Sequence, residues 1–122
     1  MPRHDDKVAL RHMLDYARTA ARMVCDRTRS DLDTDEMLRL ALTRAIEVIG
    51  EAAGRVSTVT RERHPKIPWS RIVGVRNWLI HGYDTIDLSI LWDILTLDLP
   101  PLISQLESIL PDESEPGTPS SP

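Results

Sequence analysis

Phenylalanine is absent from this 122-residue sequence, cysteine occurs once, at Cys25, and no lysine or arginine follows Arg76. A single thiol excludes a disulfide framework and a Cys-based zinc site within one chain, and Cys25 is expected to be a small buried residue. The N-terminal stretch MPRHDDKVALRH carries charge throughout and has no long apolar run. It therefore reads as neither a signal peptide nor a membrane span, and the expectation is a soluble cytoplasmic protein with no membrane partner. Aromatic β-formers are scarce and no Asn-Gly or Asp-Gly turn occurs, while apolar residues recur at intervals of three and four. The fold class expected is all-α.

What is present divides by position. Residues 1–76 hold 15 basic and 11 acidic side chains, net +4, and residues 77–122 hold 8 acidic and no basic ones, net −8. Thirteen of the fifteen cations are arginine, whose planar fork suits phosphate and carboxylate. The net charge of −4 argues against a general nucleic-acid coat protein but leaves room for a local basic groove. At 13.8 kDa there is one domain and one core.

Four helical segments are expected. The first runs from about Asp5 to Arg29, with Leu10, Met13, Leu14, Ala17, Ala20, Ala21 and Val24 on one arc and Arg11, Arg18, Arg22 and Arg29 on a neighbouring one. The arginine row could meet phosphates, although Asp15 and Asp26 stand at pairing distance for a solvated face. The second runs from Asp33, read as the cap of an Asp33-x-x-Glu36 box, to about Arg63. Within it Gly50 and Gly54 would allow another backbone close. The third is Trp69 to Ile80, with Gly82 as a stop. The fourth opens at a cap, Asp87, and its stripe Leu88, Leu91, Trp92, Leu95, Leu99, Leu102, Leu106, Ile109 keeps phase through Pro100-Pro101. Ile90, Ile94 and Leu97 form a second apolar side, for which a homodimer is the simplest partner. Residues 1–110 are read as one helical domain and 111–122, rich in Pro, Ser and acids, as a disordered tail.

The densest polar cluster is Arg76-Asn77-Trp78-Leu79-Ile80-His81-Gly82-Tyr83. An Arg, a His and a polar Asn suffice for phosphodiester cleavage without a metal. His81 can move the proton of a ribose 2′-hydroxyl or of the leaving 5′-oxygen. Arg76 can hold the non-bridging oxygens as their charge grows, and Asn77 can orient either group. On a straight helix Arg76 and His81 would point about 140° apart, so the chain must bend or two subunits must contribute. A capped helix end with a hydrogen-bonded histidine would give the same spacing.

The string from Ile67 to Tyr83, with Arg76-x4-His81-x-Tyr83 at its end, resembles the signature of the HepT-like branch of the HEPN superfamily. Arg44-Ala-Ile-Glu-Val-Ile-Gly-Glu-Ala-Ala53 and Asp87-Leu-Ser-Ile-Leu-Trp-Asp93 are similar to that branch too. The resemblance implies an up-and-down bundle of four to five helices, paired as a homodimer around a shared cleft. It implies a metal-independent endoribonuclease acting on RNA with no cofactor, often the toxin of a toxin–antitoxin pair. It further implies Arg76 and His81 as the catalytic pair, Asn77 as support, and Tyr83 as the residue to which a nucleotidyltransferase antitoxin transfers AMP. A second function compatible with the resemblance is a non-nuclease AMP acceptor or nucleotide-binding accessory subunit.

Other residues carry weaker signals. Glu47 and Glu51 lie one turn apart and could be a general acid–base pair, could orient Arg76, or could pair with Arg44 and Arg55, and Glu51 is kept as an accessory candidate. His4 and His12 are expected on the solvated surface and His64 at a helix end. Trp69 and Trp92 are expected in the core, and Trp78 could stack on a base or pack against the fourth segment. The Arg-rich helices are expected to wall the site, with the acidic fourth segment turned away.

Overall fold

The apolar arc of the first segment becomes the floor of the core. In the computed structural model, which describes residues 4–82 and 85–111, α1 (His4–Val24) buries Leu10, Met13, Leu14 and Ala17 completely. Each fully buried Leu or Met removes enough apolar surface to stabilise the fold by about 1.5–3 kcal/mol. The helix stops short of Arg29 because Asp26 takes a left-handed backbone, φ 63°, which ends a helix as an Asn or Gly would. Cys25, beside it, is exposed rather than buried.

The second segment is three helices rather than one. After the single turn α2 (Asp31–Thr34), α3 (Glu36–Ala53) is capped by Asp35, whose side chain accepts from Leu38 N–H, so the cap lies two residues beyond Asp33. Gly54 ends α3, and Ser57 caps α4 (Thr58–Arg63). Val59, which a single unbroken helix from Asp33 to Arg63 would keep on its apolar side, is exposed as a result. The buried Asp6 carboxylate accepts from Ser57 N–H, Ser57 Oγ and Thr60 Oγ1, tying the start of α1 to the start of α4. This tie also sets α1 antiparallel to α3.

Trp69 is buried as expected, and it opens α5 (Trp69–Val73). Gly74 separates α5 from α6 (Val75–Leu79), so the third segment is also broken. A two-residue antiparallel ladder follows, β1 (Ile80–His81) on β2 (Thr85–Ile86), with Ile80 opposite Ile86 and His81 opposite Thr85. The rest is one rod. Asp87 caps α7 (Leu88–Asp93) as expected, Ile94–Asp98 winds as a π-helix, and α8 (Leu99–Ile109) continues it. Pro100 and Pro101 lack N–H groups, and in the wider turn Leu99 N–H reaches back five residues to Ile94. The stripe stays in phase, with Leu91, Leu95, Leu99, Leu102 and Leu106 buried. Of the second apolar side, Ile94 enters the core and Leu97 remains exposed.

The two helical glycines separate on inspection. A Cβ on Gly50 would lie 2.9 Å from the Ile72 carbonyl oxygen and 3.0 Å from Val75 Cγ1, whereas Gly54 has room. Gly50 is thus where α5 and α6 seat on α3. Gly50→Ala is expected to cost about 1–2 kcal/mol net of its helix-propensity gain, while Gly54→Ala is close to neutral. Urea unfolding of both variants checks this, and a stabilised Gly50→Ala would remove the close approach.

Candidate active site on α6 and the ladder

Seating of Val75 against Gly50 fixes the rotation of α6. Val75 and Leu79 point inward, and Arg76 and Asn77 are left on the outer side. Glu47 lies one turn before Gly50 on the same strip of α3, and its carboxylate pairs with the Arg76 guanidinium. Arg76 is the open member of this pair, its side chain 66% exposed, and Glu47 is the sheltered one at 13%. Glu47 also lies 3.8 Å from Arg44, whose other partner, at 3.3 Å, is Glu51. Glu51 is therefore held by Arg44, one turn along α3 from Glu47. Ion pairs this open contribute about 0–1 kcal/mol, so the Glu47 contact orients Arg76 more than it stabilises the fold. Arg76 presents five N–H donors in a planar fork, and an open guanidinium can offer the outer ones to an anion.

His81 does not continue the helix. Ile80 is extended, φ −111° and ψ 125°, and Gly82 takes φ 71°, which lets the chain turn back toward β2. The 140° separation computed for a straight helix therefore does not describe this segment. The His81 ring is 60% exposed, and its Nε2 lies 3.6 Å from Asp87 Oδ2. Asp87 is a partner of His81 that the sequence disclosed only as a helix cap. Asn77 lies exposed beside Arg76. Tyr83 lies outside the described residues.

The cation walls are arranged differently from expectation. Arg18 pairs at 2.8 Å with Glu107, near the end of α8, about 30 Å along the rod from Asp87. Arg11, two turns earlier on α1, faces Asp15. Of the row, Arg29 reaches the first turn of α7, 3.5 Å from Ser89 Oγ, and it also pairs with Asp33. The row is therefore split along the rod, with Arg18 at its far end and Arg29 near Asp87, rather than forming one wall. Nor is the acidic rod turned away: Asp87 faces His81, Asp98 pairs with Arg71 at 3.3 Å, and Glu107 pairs with Arg18.

Trp78 is half-buried with the Arg71 guanidinium 4.2 Å over its ring, so one face of the indole is covered by a cation. It lines an apolar groove of about 270 Å³ with Val75, Ile72 and Leu102 on the other flank of α6, a groove that Arg76 and His81 do not line. The candidate site is thus open surface, where an extended polyanion can lie. His4 and His12 are exposed and His64 caps the end of α4, all as expected. Trp92 is half-buried against the core. Among the described residues no three His, Cys, Asp or Glu side chains cluster as a metal site would require, and no helix is long and apolar enough to cross a membrane.

Comparison with known proteins covers the same region. A family model described as "Ribonuclease HepT-like" matches residues 13–109. A Methanocaldococcus jannaschii protein provisionally named an RNase is 35% identical over 109 residues, 89% of this chain and 100% of the relative. A similarly named protein of Caldanaerobacter subterraneus subsp. tengcongensis is 34% identical over 104 residues, 85% of this chain and 93% of the relative. A Thermococcus cleftensis protein named a probable HepT ribonuclease is 34% identical over 79 residues, 65% of this chain and 72% of the relative. No solved structure matches significantly. Matched over residues 13–109 and folded as a helical bundle, the chain belongs to the HepT-like ribonuclease family.

Proposed function

We propose that this ribonuclease-family chain is a metal-independent endoribonuclease, the toxin of a toxin–antitoxin pair, acting as a homodimer. The observation that carries the reading is that Arg76 and His81 are both open to solvent and each has a carboxylate beside it, Glu47 paired with Arg76 and Asp87 facing His81. In the reaction the ribose 2′-oxygen attacks phosphorus and the bond to the 5′-oxygen breaks. His81 takes the hydroxyl proton or supplies one to the leaving oxygen, giving a 2′,3′-cyclic phosphate and a 5′-hydroxyl. Arg76 holds the non-bridging oxygens, and Asn77 supports their orientation.

A second copy has a surface to cover. Met37, Leu40 and Ala41 are exposed on the face of α3 that continues into Arg44 and Glu51, beside the Glu47–Arg76 pair. Apolar side chains so exposed next to a polar site favour pairing of protomers around it.

Tyr83, two residues past His81, is the acceptor for AMP from a nucleotidyltransferase antitoxin. The added phosphodiester and purine fill the cleft and repel RNA. The test compares growth on expression of wild type, Arg76→Ala and His81→Ala, then incubates each purified protein with RNA in EDTA. Toxicity surviving both substitutions removes the nuclease reading. Tyr83→Phe is expected to cleave RNA normally and to escape the antitoxin, with the mass of Tyr83-containing peptides after co-expression as the measurement. A harmless Phe variant in cells without antitoxin would make Tyr83 part of the chemistry instead.

A further inference from the structure

Asp87 is fixed by more contacts than a helix cap needs. Its N–H donates to the Leu79 carbonyl at 2.9 Å, binding it to the end of α6 across the ladder. Its Oδ1 accepts from Ile90 N–H at 3.0 Å, the capping bond of α7. Its Oδ2 is left over and faces His81 Nε2 at 3.6 Å. The carboxylate is about two-thirds sheltered, while the ring it faces is mostly open. One oxygen therefore serves the helix and the other serves the histidine.

An ionised carboxylate can only accept hydrogen bonds, whereas a neutral imidazole has one nitrogen that donates and one that accepts. The nitrogen turned toward Asp87 must carry the hydrogen, and the opposite nitrogen presents its lone pair to solvent. The 3.6 Å gap exceeds a hydrogen bond, and such contacts tighten when substrate is bound. We propose that Asp87 is the positioning residue of His81, holding Nε2–H through Oδ2 so that Nδ1 is the nitrogen that exchanges a proton with RNA. This role rests on His81 being the proton-transfer group.

Asp87→Asn tests it without removing the cap. The cap needs an acceptor toward Ile90 N–H, so the Asn oxygen stays there and its NH2 takes the place of Oδ2. A donor then faces Nε2, and the ring is forced toward the Nδ1–H tautomer. In ¹⁵N spectra of the unliganded full chain, His81 is expected as Nε2–H in the wild type and as Nδ1–H in Asp87→Asn. The kcat for RNA cleavage is expected to fall about 100-fold with KM nearly unchanged. Asp87→Ser keeps a capping side chain without the carboxylate, and it should match wild-type stability while also losing kcat. An Asp87→Asn protein that keeps the wild-type tautomer, or that switches tautomer and keeps the wild-type kcat, overturns the assignment. Were the wild type to cleave no RNA, the nuclease reading would fall, and the tautomer would still report whether Asp87 holds the ring.

Discussion

Replacing His81 by alanine is expected to slow RNA cleavage by about 10²- to 10⁴-fold, the range lost when a positioned proton-transfer group is removed. Arg76→Ala is expected to cost about 10²- to 10³-fold, because the guanidinium offsets charge that grows on the phosphoryl oxygens only as the transition state forms. The double variant should lose less than the product of the two, since both groups act on one transition state. Neither change should alter folding. Both side chains are mainly exposed, and their contacts with Glu47 and Asp87 are surface pairs. The measurement is single-turnover cleavage of RNA alongside urea midpoints for the same preparations. Full activity in either variant, with an unchanged midpoint, would sink the assignment of that residue.

The largest stability effect is expected at Asp6, far from the chemistry. Its carboxylate is 1% exposed and accepts three hydrogen bonds from Ser57 and Thr60. Asp6→Ala leaves the Ser57 N–H, the Ser57 hydroxyl and the Thr60 hydroxyl without their acceptor in a sheltered place, and one buried donor left unpaired costs about 1–3 kcal/mol. Partial relaxation of the hydroxyls limits the sum, so a loss of about 3–4 kcal/mol is expected, a large share of a small domain's stability. Adding Thr60→Val to Asp6→Ala should recover part of it, because the removed hydroxyl no longer seeks a partner. Urea unfolding gives both numbers. A loss under about 1 kcal/mol would mean that water replaces the carboxylate freely.

The helical class, the buried stripe of the rod and the Asp87 cap could be read from spacing because each depends on residues within a few turns. Helix breaks were harder to locate. The apolar pattern runs through Gly54 and Gly74 without a gap in phase, yet the chain stops at both, since Ser57 finds Asp6 and Val75 finds Gly50 only after folding. The site shows the same division. Arg76 and His81 stood out as a motif, but Glu47 and Asp87 are tied to them through α3 and the ladder, contacts that no periodicity contains. From the sequence, Glu51 and not Glu47 is the accessory candidate. The seating of α6 at Gly50 separates them, giving Glu47 to Arg76 and leaving Glu51 with Arg44. The arginine row misled because a shared helix face says nothing about which end of a rod it meets, and Arg18 meets Glu107.

Cys25 offers an experimental handle. The chain has one thiol, and it is exposed at the left-handed turn that ends α1. A nitroxide or fluorophore can be attached there to the native sequence, with no background site to remove. In the homodimer proposed above, two labelled protomers would report a single intermolecular distance, and a monomer would report none.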